Sequence, residues 1–254
     1  MSKLFDVVVG FCEDSRNQKF VEYVKSRDWN EETIKKWRLG FFPNERMLEL
    51  KFRAAENGIS DRELFENYIC RSNGSTMLGD RIIFPIWSEW NPSPIAVTGR
   101  VLDSNIKPKY FNTDFDKGKI LFGLNFAHEM MEEKNGVYIF EGNADVITAH
   151  QHGIKNSVCC MGTALTVDHL TLVSQHAENA VLLFDNDDGG RRALASFNKK
   201  NPDNEGLNIF RCFLEGAKDA DEFLRKFGAE EFSRFVKEKR KDTNLQNALR
   251  KFAG

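Results

Sequence analysis

The segment Val137-Tyr138-Ile139-Phe140-Glu141-Gly142-Asn143-Ala144-Asp145 runs four apolar residues, branched or aromatic, straight into a pair of carboxylates. A short, uniformly apolar run of that composition reads as a strand buried on both faces, the habit of parallel sheets. The pattern returns at Val181-Leu182-Leu183-Phe184, followed at once by Asp185-Asn186-Asp187-Asp188-Gly189-Gly190. A third acidic pair stands at Asp219 and Asp221. Acids therefore sit at the carboxyl ends of strands, the edge of an open α/β sheet where ligands bind. Carboxylates converging there repel one another unless a cation lies between them, and a divalent metal is the natural candidate.

Outward from this segment, strands and helices alternate: strand 137–140, helix 145–151, strand 157–160, helix 168–174, strand 180–184, helix 191–199 and strand 207–213. Such alternation predicts a parallel sheet with helices on both faces. Upstream, residues 17–26 and 31–37 read as helices, the second with Asn30 as N-cap and Gly40 as its stop. Residues 82–87 and 96–101 read as strands joined by a proline-containing loop, and Pro85 predicts an edge position or a bulge. A helix at 125–133 leads through the turn Asn135-Gly136 to the first acidic strand. Downstream, Phe232, Phe235 and Val236, then Leu245, Ala248, Leu249 and Phe252, have helical spacing with a break at 242–244, predicting two short amphipathic helices. The expected class is α/β: an α+β N-terminal subdomain over residues 1–134, a parallel-sheet domain over 135–221 and a short helical segment over 222–254.

With 254 residues, 41% hydrophobic and 29% charged, the composition is that of a folded globular chain and excludes disorder. No apolar stretch approaches membrane-spanning length and the start lacks a signal peptide's core, so the expectation is a cytoplasmic protein without membrane contact. Five cysteines without a Cys-x-x-Cys pair support neither a disulfide framework nor a zinc ribbon; buried thiols are expected. His150 and His152 diverge on a helix and are not expected to bind metal. The net charge of −2 conceals segregation: residues 137–221 carry seven Lys or Arg against twelve acids, whereas residues 81–119 carry six against four. An acidic centre beside basic segments suits a metal site that handles a polyanion.

Glu141-Gly142-x-x-Asp145, Gly162-Thr163-Ala164-Leu165, His169, and Asp185-x-Asp187-x-x-Gly190-Arg191-x-Ala193 together resemble the TOPRIM domain of primases, topoisomerases and some nucleases. Outside it, Trp37-Arg38-Leu39-Gly40-Phe41-Phe42-Pro43, Asp80-Arg81-Ile82-Ile83-Phe84-Pro85-Ile86, Gly99-Arg100-Val101-Leu102, Pro108-Lys109-Tyr110-Phe111-Asn112 and Lys117-Gly118-Lys119-x-Leu121-Phe122-Gly123-Leu124 resemble bacterial DnaG-type primase motifs, in that family's order. The resemblance implies an RNA-polymerase core that joins nucleoside triphosphates into short RNA primers on single-stranded DNA for replication, in a bacterial or phage-infected cell. Such chemistry needs a 3′ hydroxyl set against an α-phosphate while pyrophosphate leaves, so positioning and charge neutralisation dominate.

On that resemblance Glu141, Asp185 and Asp187 are the catalytic candidates. Two or more Mg²⁺ or Mn²⁺ ions are expected on Glu141, Asp145, Asp185, Asp187, Asp219 and Asp221, hard oxygen ligands suited to those ions. Glu141 doubles as a candidate general base, Asp219 and Asp221 equally fit a helix N-terminus, and Asp188 reads as a turn residue. Arg38, Arg81, Arg100, Lys109, Lys117 and Lys119 are implied to bind nucleotide and template, with Gly142, Gly162, Thr163, His169, Gly190 and Arg191 supporting the domain. Asn143 and Asn186 replace an aromatic residue and a glycine usual in the family, and neither change removes a carboxylate. No zinc is expected in this chain; the zinc-ribbon and helicase-binding modules usual in the family are not found in it, so a replicative helicase and a separate zinc-binding protein are the expected partners. The alternatives are a metal-dependent TOPRIM nuclease and a non-catalytic adaptor for single strands or a helicase.

Overall fold

Two asparagines open the helices read from the sequence. In the computed structural model, which describes residues 3–162, 165–183 and 207–240, Asn17 accepts a hydrogen bond from Phe20 N at 3.1 Å and Asn30 from Thr33 N at 2.8 Å. They cap α2 (Gln18–Ser26) and α3 (Glu31–Lys36). Ahead of them lies α1 (Leu4–Asp14), not anticipated from the sequence, with Leu4, Val8 and Phe11 on its buried face. Gly40, expected to stop α3, instead begins β1 (Gly40–Phe42); the helix ends through Arg38, whose φ of 47° is left-handed. Gly40 is required by packing, since a Cβ there would lie 2.5 Å from the backbone carbon of Cys12 in α1.

The chain clusters into two units, Met1–Phe115 and Asp116–Gly254. In the first, α4 (Met47–Glu56) and α5 (Asp61–Glu66) follow β1 and precede β2 (Arg81–Ile86), β3 (Ala96–Val101) and β4 (Tyr110–Asn112). The four strands form an antiparallel sheet in the order β1-β2-β3-β4. Pro85 is tolerated because β1 reaches only as far as Ile83, leaving that end of β2 paired on one side. Helix α1 packs on this sheet, and the Phe11 and Phe42 rings meet edge to face at 5.5 Å.

The second unit holds α6 (Leu124–Lys134), β5 (Val137–Phe140), α7 (Asn143–Gln151), β6 (Ser157–Cys159), α8 (Val167–Ser174), β7 (Asn179–Leu183), β8 (Asn208–Arg211) and α9 (Ala220–Arg240). Its sheet is parallel, in the order β6-β5-β7-β8. Alternation along β5 builds both faces: Val137 and Ile139 join a core with Leu124, Met131, Leu170 and Val173 of α6 and α8. On the other face Tyr138 and Phe140 meet the Phe232 ring of α9 at 5.3 and 6.2 Å. Burial of one such ring contributes about 1.5–3 kcal/mol. Helix α6 belongs to this core, within the unit that begins at Asp116. Over the described residues α9 is two helical segments joined at Gly228, whose φ 79° and ψ 176° are not helical. Residues 191–199 and 245–252, expected to be helical, lie outside those described.

Candidate active site at the carboxyl edge of the parallel sheet

Strand β6 is added on one side of β5 and β7 on the other. The strand order therefore reverses between β5 and β7, the switch point at which open α/β sheets bind ligands beyond their carboxyl ends. Glu141 is the first residue past β5 at that point. Phe140 pairs with Leu183, so β7 ends level with it, two residues short of Asp185. Asp185, Asp187, Gly190 and Arg191, with Thr163, lie outside the described residues.

Backbone geometry fixes Glu141. Met161 and Gly162 both take positive φ, 55° and 70°, and this turn aims Gly162 N at the Glu141 carbonyl, 2.9 Å away. The Glu141 carboxylate is partly buried, with Oε2 screened from solvent. Gly142 is the N-cap of α7, where its N–H donates to Asp145 Oδ2 at 3.2 Å. Asn143 is buried beneath, its Oδ1 accepting from Cys159 Sγ at 3.5 Å. All five cysteines are buried and free, and His150 is a core residue whose Nε2 meets the Ser157 carbonyl at 3.0 Å.

The other acids have structural partners. Asp145 Oδ1 accepts the backbone N–H of Asp221 at 2.9 Å. Asp221 is fully buried; Thr148 Oγ1 donates to its Oδ1 at 2.7 Å and Arg225 Nη2 to its Oδ2 at 3.1 Å. Asp219 Oδ1 accepts from Glu222 N at 2.8 Å, the N-capping role for α9. Asp145 and Asp221 thus clasp α7 to α9. Among the described residues no group of three or more His, Cys, Asp or Glu gathers as a metal site. Glu141 at this edge, with Asp185 and Asp187 two and four residues past the end of β7 in the sequence, offers the hard oxygen donors that suit a divalent cation.

The basic candidates divide by what holds them. Arg38 bonds Asp6 at 2.8 Å and Glu13 at 3.0 Å. Arg81 is 2% exposed, and its guanidinium donates to the carbonyls of Met77 at 2.7 Å, Pro108 at 3.0 Å and Lys109 at 3.1 Å. Burial lowers its pKa. Arg81 therefore serves the strand framework rather than presenting its fork to a ligand. Arg100 lies over the rings of Tyr23 at 5.1 Å and Tyr110 at 5.8 Å, and donates to Tyr23 Oη at 2.9 Å. Lys109 Nζ sits 5.9 Å from the Tyr110 ring.

Lys117 and Lys119 occupy a single 3-10 turn of the second unit. The N-cap of α8 and a residue of its first turn clamp it: Thr166 Oγ1 donates to the Gly118 carbonyl at 2.6 Å, and His169 Nε2 lies 2.7 Å from the Lys117 carbonyl. A carbonyl only accepts, so Nε2 carries the proton, which leaves Nδ1 to accept from Thr166 N at 3.3 Å. Burial lowers the His169 pKa and favours this neutral ring. Thr166 and Arg225 went unnoticed in the sequence. Their signals are local: a Thr three residues ahead of His169 is a capping pattern, and Arg225 stands four residues past Asp221.

Comparison with known proteins bears on the same residues. Residues 10–128 match the family "DNA primase catalytic core, N-terminal domain" and residues 138–224 match a "Toprim-like" family, together most of the chain. The DNA primase of Clostridium acetobutylicum is 35% identical over 87% of this chain and 37% of its own length. The Aquifex aeolicus primase structure of zinc-binding and RNA polymerase domains is 30% identical with a TM-score of 0.83, covering 94% of this chain and 62% of that one. A DnaG primase catalytic domain bound to ssDNA is 28% identical with a TM-score of 0.78, covering 93% and 80% respectively. The chain spans only about two fifths of the curated primases it matches, 42% of that from Listeria monocytogenes. Two matching family models in the right order, on a switch-point sheet that sets Glu141 at its ligand edge, establish that the chain belongs to the DnaG-type primase catalytic-core family, TOPRIM domain included.

Proposed function

We propose that this chain is the nucleotidyl-transferring core of a primase, making short RNA primers on single-stranded DNA from nucleoside triphosphates. What carries the reading is Glu141 at the switch point of the parallel sheet, beside the strand that runs into Asp185 and Asp187. Glu141, Asp185 and Asp187 would hold Mg²⁺ or Mn²⁺, which when bound supplies Lewis acidity and charge neutralisation for phosphoryl chemistry. Asp145, Asp219 and Asp221, engaged in hydrogen bonds around α7 and α9, would stiffen the wall behind them. Lys117 and Lys119, on a turn fixed by Thr166 and His169, would meet phosphate oxygens as point charges. Arg100 and Lys109 would meet the polynucleotide backbone. The solved relative bound to ssDNA supports the template class. A zinc-binding protein and a replicative helicase are the proposed partners, the former supported by the Aquifex aeolicus structure, which joins zinc-binding and RNA polymerase domains. Among the described residues no helix is long and apolar enough to cross a membrane, in keeping with the proposed cytoplasmic setting.

Incubating the chain with labelled single-stranded DNA, Mg²⁺ or Mn²⁺ and NTPs, with and without a helicase and a zinc-binding primase module, tests this. Template-dependent incorporation of NTPs is the expected result. Cleavage of the template without incorporation would instead assign the same carboxylates to a nuclease.

A further inference from the structure

We propose that a pocket in the first unit, between the end of α5, the 68–77 segment and β4, receives one unpaired base of a single strand. It is a cavity of about 420 Å³ lined by Phe65, Tyr68, Met77 and Phe111, with Arg71 beside them. That volume falls in the range of small-molecule sites, about 300–1,000 Å³. Phe65 and Tyr68 remain 50% and 55% exposed, so ring surface is on offer rather than packed away.

Tyr68 stands at a helix-ending, left-handed position of the kind Gly58 fills one helix earlier. Helix α4 ends with Gly58 N donating to Ala55 O and Ile59 N to Ala54 O, and Gly58 takes the left-handed φ of 76° that this turn requires. Helix α5 ends with the same pattern, Tyr68 N to Phe65 O and Ile69 N to Leu64 O, but with a tyrosine at φ 60°. A bulky side chain is disfavoured there, and strained positions of this kind cluster where ligands are held. The same turn ends α2 at Asp28 and α3 at Arg38, so what sets Tyr68 apart is its half-exposed ring on the cavity lining.

The walls are built to hold shape. Arg81, buried, ties the Met77 carbonyl to those of Pro108 and Lys109 at the approach to β4. Thr76 Oγ1 donates to Ile69 O at 2.6 Å, Arg71 N to Ser75 O at 2.7 Å, and Arg71 Nη2 lies 2.6 Å from Met77 Sδ. The one acid on the lining, Glu66, is paired with Arg62 at 2.7 Å. Aromatic faces beside a guanidinium plane are what an unstacked base binds, without regard to sequence. This assignment rests on the reading of the chain as one that handles single strands.

The test is binding of the full chain, without NTP, to labelled dT12 and to the same oligomer with abasic sites, followed by anisotropy. Tyr68→Gly is the decisive variant, because Gly58 shows that the turn accepts it and its melting temperature is expected to match or exceed the parent's. The expected result is a loss of about tenfold in affinity for dT12, with little change for the abasic oligomer. Arg71→Gln weakens dT12 binding in the same sense, whereas Phe52→Ala, an exposed ring on α4 outside the pocket, leaves it unchanged. Undiminished dT12 affinity in a stable Tyr68→Gly protein overturns the proposal. So does a loss confined to ATP, which would give the pocket to the incoming nucleotide. Binding is read apart from synthesis, so a chain that needs Tyr68 to bind dT12 but incorporates no NTP refutes the polymerase reading and leaves the pocket standing.

Discussion

Asp221 and Glu141 are both acids near one sheet edge, and their surroundings separate them. Asp221 has no exposed surface and satisfies its oxygens with Thr148 and Arg225, while its own N–H is taken by Asp145. Truncating its carboxylate strands the buried Thr148 hydroxyl and takes the ion pair from Arg225, while Asp145 keeps the backbone N–H of residue 221. Asp221→Ala should lower stability by roughly 3 kcal/mol, seen as a drop in the urea midpoint at unchanged slope. Glu141→Gln keeps the fold, because Gly162 N holds the Glu141 backbone rather than its carboxylate. It should reduce NTP incorporation by at least ~100-fold, the usual scale for a general base or charge stabiliser, with the melting temperature near that of the parent. Equal destabilisation in the two variants would assign Glu141 to the framework as well.

Between elements, the contact of α8 with the lysine-bearing turn sets a pH dependence. Burial holds His169 below its ordinary value of 6.5. As pH falls, the unfolded chain takes up this proton first, so the contribution of the neutral ring is complete above pH 6.5 and is lost as pH drops through the folded value. His169→Ala should flatten that acid-side slope in urea midpoints taken at about pH 5 and about pH 7.5. By releasing Lys117 and Lys119 it should also raise KM for NTP more than it lowers kcat. Thr166→Val removes a cap and the bond to Gly118, at a cost of about 1–2 kcal/mol. The contact of α1 with β1 is steric: Gly40→Ala drives a methyl into the backbone of Cys12, which cannot give way as a side chain end would. A loss of about 1–3 kcal/mol is expected, visible in the melting temperature.

At the scale of the whole molecule, a cation shared by the acids of the sheet edge would link metal binding to folding. If Glu141, Asp185 and Asp187 share a cation, Mg²⁺ at about 100 times its Kd should stabilise the chain by about 2.7 kcal/mol. Asp185→Asn should abolish synthesis yet raise the metal-free melting temperature, by relieving repulsion. A melting curve indifferent to both metal and substitution sinks the shared site. The sequence held the parallel sheet because its strands are locally coded: apolar runs at 137–140 and 181–183, each bounded by acids and spaced by helix-length segments. It held the order of motifs for the same reason, and with them the place of Glu141 at a strand's end. It did not show α1, α4 or α5, whose helical patterns carry no motif, nor the three-residue strands β1 and β4, which exist only by pairing with β2 and β3. Residue type announced an arginine at 81 and an aspartate at 221, but each side chain's employment depends on partners brought near by folding. The bond from Asp221 N to Asp145 spans 76 residues, and the one from Arg81 to the Lys109 carbonyl spans 28. Burial is a property of such distant encounters, so only the folded chain shows which carboxylates and cations are tied into its framework.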